Sequence, residues 1–376
     1  MAPQLRHFYL RATVSMQNGY IYVKFGAGCS SRPIIAYICR SNPAKKPLTH
    51  INNMNKIGII CIISITLLAV VLAACATTQS EKKAAEGTYD GELNILMLSD
   101  AGRNGSYDQR LIGEWMGVYA DELGPEFVIS CGDLFHYEGI QSTRDPLLWS
   151  NFESIYSHGE LQCPWYGVLG NHEYRGNTQA MMDYTEVSRR WNMPDRYYTF
   201  SVPLDDEVAD SERVRFVFID TTPLIGKYRA EQAKYPDVQL VDPDTEVRWI
   251  DSVLCASNEK WKIVVGHHPM YTYDEKDDCE QEDMRARLEE IFRRNSVDAY
   301  FCGHIHTFQH IRTGQDSIDY VVNTSASKQR APQRGPLTQY AGENSGFGLL
   351  SFDEGTMHYT LVNSRGEREY EIERRK

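Results

Sequence analysis

Short apolar runs that stop at a polar residue recur along this chain, and they set the predicted elements. Residues 93–100, LNILMLSD, are apolar up to a terminal acid. Residues 126–133, EFVISCGD, repeat the pattern, and residues 165–174, WYGVLGNHEY, give it again with a polar tip. Residues 213–220 (RVRFVFID), 261–269 (WKIVVGHHP) and 297–306 (VDAYFCGHIH) continue the series. Runs this short, bounded by polar residues, read as buried strands. Between them, residues 110–123, 146–156, 245–256 and 282–295 read as helices, the last as the amphipathic EDMRARLEEIFRRN. Further strands are predicted at 320–323, 346–352 and 357–362, and the Gly-, Pro- and polar-rich stretch 328–345 reads as a loop. Strands alternating with helices predict an α/β sandwich.

The polar tips carry the chemistry. In open α/β sheets, ligands gather beyond the carboxyl ends of the strands. Leaving 213–220 aside, the other five main runs end in metal-capable residues: Asp100, Asp133, Asn171, His267, and the pair His304 and His306. A lone strand-end Asp often only caps the next helix. Two carboxylates, one amide and three histidines at equivalent strand ends form a set suited to metal. In extended chain, His304 and His306 would point the same way.

Charge is uneven. The first 80 residues hold eight Lys or Arg and no acid, which leaves 31 basic against 51 acidic residues in the remainder. An acidic body argues against broad contact with nucleic acid. It is compatible with a phosphate substrate, because bound cations invert the local field. The nine cysteines show no CxxC pair and no regular spacing, so a disulfide-rich scaffold is not expected, although one bridge among the later cysteines stays open. Cys131 and Cys302 lie within strands, with no base partner, and read as small buried apolar residues.

Residues 57–75, IGIICIISITLLAVVLAAC, form an uncharged run of nineteen, preceded by Lys56. Such a run is a membrane span or an export core. Its ending, LAAC, followed by small and polar residues, resembles a bacterial lipoprotein signal. That resemblance implies cleavage before Cys75, lipid on Cys75, and an anchored body in the cell envelope, at the outer membrane or in the periplasm. Met54 would make a normal signal start. The expected organisation is an upstream extension from a misassigned start (1–53), a signal peptide (54–74), a flexible tether (75–91) and a catalytic domain (92–376).

The series SDAG, GDLF, GNHE, GHHP and GHIH resembles the calcineurin-like metallophosphoesterases, and more narrowly the small tartrate-resistant purple acid phosphatases, over roughly residues 92–370. The resemblance implies a two-layer mixed β-sandwich flanked by helices (αββα) and a binuclear metal centre. It implies one metal on Asp100, Asp133, position 136 and His306, and a second on Asp133, Asn171, His267 and His304. The family has Tyr at the third of these positions; this chain has His136, followed by Tyr137. His136 is the expected ligand, with Fe, Zn or Mn as the metals. A hydroxide shared by the metals is then expected to attack the phosphorus of a small phosphate monoester in line.

His172 is the candidate general acid and phosphate contact. Glu173 stands beside it with an open role, either holding His172 or repelling phosphate. Alternation turns His268 away from the substrate, and His310 reads as a rim residue. Residues 174–192 and 223–243 are expected to shape the entrance, with Lys227, Arg229 and Lys234 available for phosphate. Two other readings compete: a phosphodiesterase or nucleotidase on the same metals, and a non-catalytic binding protein that kept the fold.

Overall fold

The computed structural model describes residues 11–17, 20–26, 35–38, 90–204, 212–274, 279–353 and 355–376. The chain divides into two compact units, Met1–Ala74 and Cys75–Lys376. In the first, β1 (Arg11–Gln17), β2 (Tyr20–Gly26) and β3 (Ile35–Ile38) form an antiparallel sheet. The predicted export core, with Cys75 and the tether as far as residue 89, lies outside the described residues.

The second unit carries the predicted pattern. Its elements run β4 (Leu93–Leu98), α1 (Gln109–Leu123), β5 (Phe127–Ser130), β6 (Trp165–Gly167), β7 (Trp191–Asn192), β8 (Tyr198–Pro203) and β9 (Arg213–Phe218). They continue with α2 (Pro243–Ala256), β10 (Trp261–Val265), α3 (Cys279–Arg294), β11 (Ala299–Cys302), β12 (Phe308–Ile311) and β13 (Asp319–Val322). The last four are β14 (Thr338–Gly342), β15 (Gly346–Phe352), β16 (Thr356–Asn363) and β17 (Arg368–Arg375). Among the described residues they form two seven-stranded sheets, ordered β17-β16-β15-β4-β5-β6-β7 and β14-β12-β13-β11-β10-β9-β8. Neighbours among β4–β7 pair parallel, as do those in β9-β10-β11-β13; the outer strands pair antiparallel. This is the αββα sandwich, a mixed pair of sheets with helices outside.

Every residue of β4 and of β15 is buried, as their continuous apolar runs require. The facing sheets meet through aromatic pairs: Phe127 of β5 lies edge-on 5.5 Å from Phe216 of β9, and Phe308 of β12 is stacked 6.0 Å from Tyr359 of β16. Each such ring adds roughly 1.5–3 kcal/mol by burial. Helix α1 ends at Gly124, whose φ of 56° is the left-handed cap that glycine supplies without strain. Helix α2 starts with Asp242, whose side chain accepts from the Thr245 amide at 3.1 Å.

Three expectations change. The stretch read as a loop at 328–345 contains β14, which pairs with β12. The predicted helix at 146–156 breaks into a single turn, Pro146–Leu148, and a wide π-type turn, Trp149–Glu153. Strand β17, REYEIERR, was not legible because it lies at the edge of its sheet and buries only Ile372.

Candidate metal centre

The strands deliver their polar tips to one place, but the tips themselves are not extended. β4, β5 and β11 end before the motifs. Asp100 (φ 52°), Asp133 (φ 53°), His304 (φ 72°) and His306 (φ 61°) all lie in the left-handed region. Non-glycine residues there cost about 1–3 kcal/mol each and concentrate at functional sites. The expected parallel pointing of His304 and His306 from extended chain therefore gives way to a tight turn. A Cβ on Gly303 would run into the Ser99 hydroxyl and the Asp100 carboxylate, so glycine is required there.

The six strand-end residues and His136 are all buried and converge. His306 Nε2 lies 3.3 Å from Asp100 Oδ1. Asp133 Oδ2 lies 3.3 Å from His267 Nε2 and 3.4 Å from His136 Nε2. Ligand-capable atoms within 4.8 Å of one another define the groups Asp100–His136–His306 and Asp100–Asp133–His267, together with His267–His268–His304 and Asp133–His136–His172. Asp133 thus stands between two half-sites. Asn171 is buried, and the amide of the next residue, His172, donates to Asp133 Oδ1 at 2.9 Å.

Imidazole, carboxylate and amide oxygen are a donor set for divalent or trivalent cations. Asp100 Oδ1, Asn171 Oδ1, His267 Nε2 and both ring nitrogens of His136 are buried without a hydrogen-bond partner. Orphaned polar atoms normally cost about 1–3 kcal/mol each. Their convergence fits a pair of metal ions. The remaining ring atoms are already oriented: His267 Nδ1 donates to the Cys131 carbonyl at 2.8 Å and His306 Nδ1 to the Lys328 carbonyl at 2.6 Å. That leaves each Nε2 lone pair facing inward. Burial disfavours charge on His267, but Asp133 and Asp100 outweigh it and raise its pKa to about 9. Burial also works against Asp133, yet His267 and His172 hold its carboxyl well below the usual range.

At the family's tyrosine position the backbone turns His136 inward and Tyr137 outward. The Tyr137 ring is 68% exposed. Its carbonyl faces in, accepting from His172 Nδ1 at 2.5 Å and from Arg175 at 3.2 Å. His172 is half-buried, with Nε2 3.9 Å from Asp133 Oδ2.

Several supporting residues were not legible in sequence. Glu173 neither holds His172 nor faces the cleft. Its carboxylate accepts from the amides of Asp133 (2.9 Å), Phe135 (3.1 Å) and Gly170 (2.7 Å), tying two motif loops together. Glu280, near the start of α3, accepts from His304 Nε2 at 2.8 Å and from Lys227 and Tyr228 at 2.7 Å each. This fixes the ring of His304 as carboxylates fix metal-bound histidines. Ser325 and Ser327 donate to the Asp100 carbonyl at 3.0 and 2.7 Å. His268 is buried, bonded to Thr221 and Tyr228.

Other expectations are corrected. His310 is not on the rim: it is buried and holds Asp319 at 2.8 Å. Lys227 is committed to Glu280, Arg229 binds the carbonyls of Val238 and Val241, and Lys234 pairs with Glu231. These three are engaged elsewhere than on a phosphate. Cys131 and Cys302 are buried free thiols, and Cys163, Cys255 and Cys279 are also unbridged.

Residues 93–308 match the model of the calcineurin-like phosphoesterases, more than half of the chain. The chain belongs to the calcineurin-like phosphoesterase family. With its two candidate metal clusters it is a metal-dependent phosphoesterase. It is homologous to purple acid phosphatases. Purple acid phosphatase 17 of Arabidopsis thaliana is 32% identical over 262 residues, covering 66% of this chain and 72% of that protein. Tartrate-resistant acid phosphatase type 5 of Homo sapiens is 29% identical over 262 residues, covering 65% and 78%. Among solved structures, GAP50, the anchor in the inner membrane complex of Plasmodium, shares the fold with a TM-score of 0.64 at 19% identity, over 75% of this chain and 88% of that one.

Proposed function

We propose that this phosphoesterase is a phosphomonoesterase of the acid phosphatase type, whose residues would hold two metal ions with Asp133 shared between the two sites. Asp100, His136 and His306 complete one site, and Asn171, His267 and His304 the other. The observation that carries the reading is the single carboxylate of Asp133 set between buried donors of two half-sites, His136 on one side and His267 on the other, with Asp100 Oδ1 and Asn171 Oδ1 also buried and unbonded. Such a centre supplies an activated water and neutralises charge on the phosphoryl oxygens. The chain's own work is then positional. His172 Nδ1 donates to the Tyr137 carbonyl, so the ring is fixed with Nε2 toward the centre, and its doubly protonated form would give the Nε2 proton to the departing oxygen. The experiment is hydrolysis of a simple alkyl phosphate against its diester analogue. A monoester preference of about tenfold or more is expected; faster diester cleavage would reverse the assignment.

Position 136 sets the character of the metals. Imidazole in place of phenolate leaves the site one negative charge poorer, which favours divalent ions there. Iron-loaded, oxidised protein should be pale, because no phenolate reaches the iron. A violet band abolished by Tyr137→Phe would show instead that Tyr137 is the ligand.

For the ends of the chain, the proposed organisation is an upstream extension (1–53), a lipoprotein signal (54–74), a tether (75–91) and the catalytic domain (92–376). The support is the uncharged run ending in LAAC. Lipid on Cys75 would hold the enzyme at the extracytoplasmic face of a bacterial envelope membrane. Mass spectrometry of membrane-extracted protein is expected to find Cys75 as the modified first residue; abundant peptides from 1–53 would count against it.

A further inference from the structure

Beside the metal centre lies a cavity of about 370 Å³ between the loops that follow β4 and β5. Arg103, Asn104, Ser106, Tyr107, His136 and Tyr137 line it. We propose that this cavity is a leaving-group subsite for a planar aromatic ring, so that nucleoside monophosphates and related aromatic phosphates are preferred over bare alkyl phosphates. The inference rests on the monoesterase reading for its reaction, and on independent observations for its ligand.

Position comes first. His136 belongs both to the cavity lining and to the candidate cluster with Asp100 and His306. On the facing side, Lys328 binds His306 through its carbonyl and carries its ammonium 5.6 Å above the Tyr107 ring. A phosphoryl group at the metal centre therefore places its ester substituent next to this cavity, whose volume exceeds that of a nucleoside.

The lining is the second observation. Tyr107 and Tyr137 are 58% and 68% exposed, and both open onto the same cavity. Large rings left in water beside an active centre are a surface for a ligand. Arg103 lies over the Tyr137 ring at 4.8 Å, and its Nε is buried without a hydrogen-bond partner. A guanidinium plane stacked on one tyrosine, in a cavity that a second tyrosine also lines, suits a π-face and an anionic or carbonyl edge.

The loop is also held in shape before any ligand arrives. Gln109 Oε1 accepts from the amides of Arg103 at 3.1 Å and Gly105 at 2.7 Å. Asn151 Oδ1 accepts from the Asn104 amide at 2.7 Å, and Ser150 donates to the Asn104 side chain at 2.6 Å. Within this pinned loop Asn104 and Tyr107 both have a φ of 54°. A left-handed conformation is uncommon for a bulky residue such as Tyr107 and is kept where surrounding bonds enforce it. A rigid platform loses little freedom on binding.

The test separates the ring from the reaction. Adenosine 5′-monophosphate and ribose 5-phosphate share an alkyl leaving group and differ only in the base. Wild type is expected to show kcat/KM higher for the nucleotide by about 5- to 150-fold, the range that base–aromatic stacking supports. Tyr107→Ala with Tyr137→Ala should bring the two substrates together, largely by slowing the nucleotide, while the double Phe variant keeps the preference. Binding without chemistry is read by saturation-transfer NMR with adenosine, N-acetyltyrosinamide and ribose. Signal from either aromatic probe, lost in the double Ala variant, supports the subsite, and their ranking tells nucleobase from phenyl ring. No signal from either, or equal kcat/KM for nucleotide and ribose phosphate, overturns the subsite and leaves the monoesterase reading standing. Failure to hydrolyse either phosphate, with adenosine still bound through the tyrosines, defeats the monoesterase reading and keeps the ring site.

Discussion

Replacing Asp133 by Ala is expected to remove both metal ions together and to lower hydrolysis by about 10³-fold or more. The carboxylate lies within 3.4 Å of ring nitrogens from both half-sites, His267 and His136. Without it, each half-site loses its shared anion, and buried imidazoles face each other across an empty centre. Metal ions at such sites contribute several kcal/mol of transition-state stabilisation, and each 1.36 kcal/mol is tenfold in rate. Asp133→Asn is the control for folding, because Asn tolerates the left-handed backbone as Asp does. Asp100→Ala makes the contrast, since Asp100 sits with His306 on one side and should cost one ion first. The check is elemental analysis beside circular dichroism. Wild type is expected to hold two ions per chain and the Asp133→Ala protein none, with the fold retained. One ion per active wild-type chain would defeat the bridging role.

Replacing His172 by Ala is expected to cost alkyl phosphates about 10²- to 10⁴-fold in kcat, the usual worth of a positioned general acid. Activated aryl phosphates should lose much less, because their leaving groups depart without a proton. The geometry gives the reason. His172 is the most exposed of the histidines described at the centre, with 16% of its side chain accessible, so its ring can meet a substrate from the solvent side. Its amide donates to Asp133 Oδ1 at 2.9 Å and its Nδ1 is held by the Tyr137 carbonyl, which fixes the ring with Nε2 toward the centre. Burial pushes its pKa down to about 4, ahead of the opposing pull of Asp133, so the protonated ring that can give a proton is populated in acid and lost as pH rises through that value. The measurement is kcat across a leaving-group series with metal content determined for each variant. Equal losses along the series, with both metals retained, would leave His172 a positioning residue and not a proton donor.

The sequence by itself determined the strands that carry the site and the residues at their ends. Asp100, Asp133, Asn171, His267, His304 and His306 were legible because each belongs to a short local motif behind an apolar run. Burial of that run forces the next polar residue to the sheet's carboxyl edge. The exchange at position 136 was legible only through the resemblance to a family that has tyrosine three residues after the GD aspartate, where this chain has His136.

Tertiary structure alone decided what surrounds those residues. Glu280 reaches His304 from 24 positions earlier, and no local pattern marks it. Glu173 looks like a cleft residue in sequence, yet three backbone amides, two from the Asp133 loop and one from its own, draw it inward. Lys227 resembles a phosphate contact until folding sets it on Glu280. His310 resembles a rim residue until Asp319 holds it in the interior. The four left-handed backbones at the centre exist only because loops from both sheets hold them there. A local run of residues encodes its own burial and direction, whereas a hydrogen-bond partner or an enforced backbone angle depends on which distant segments the packed sheets bring into contact.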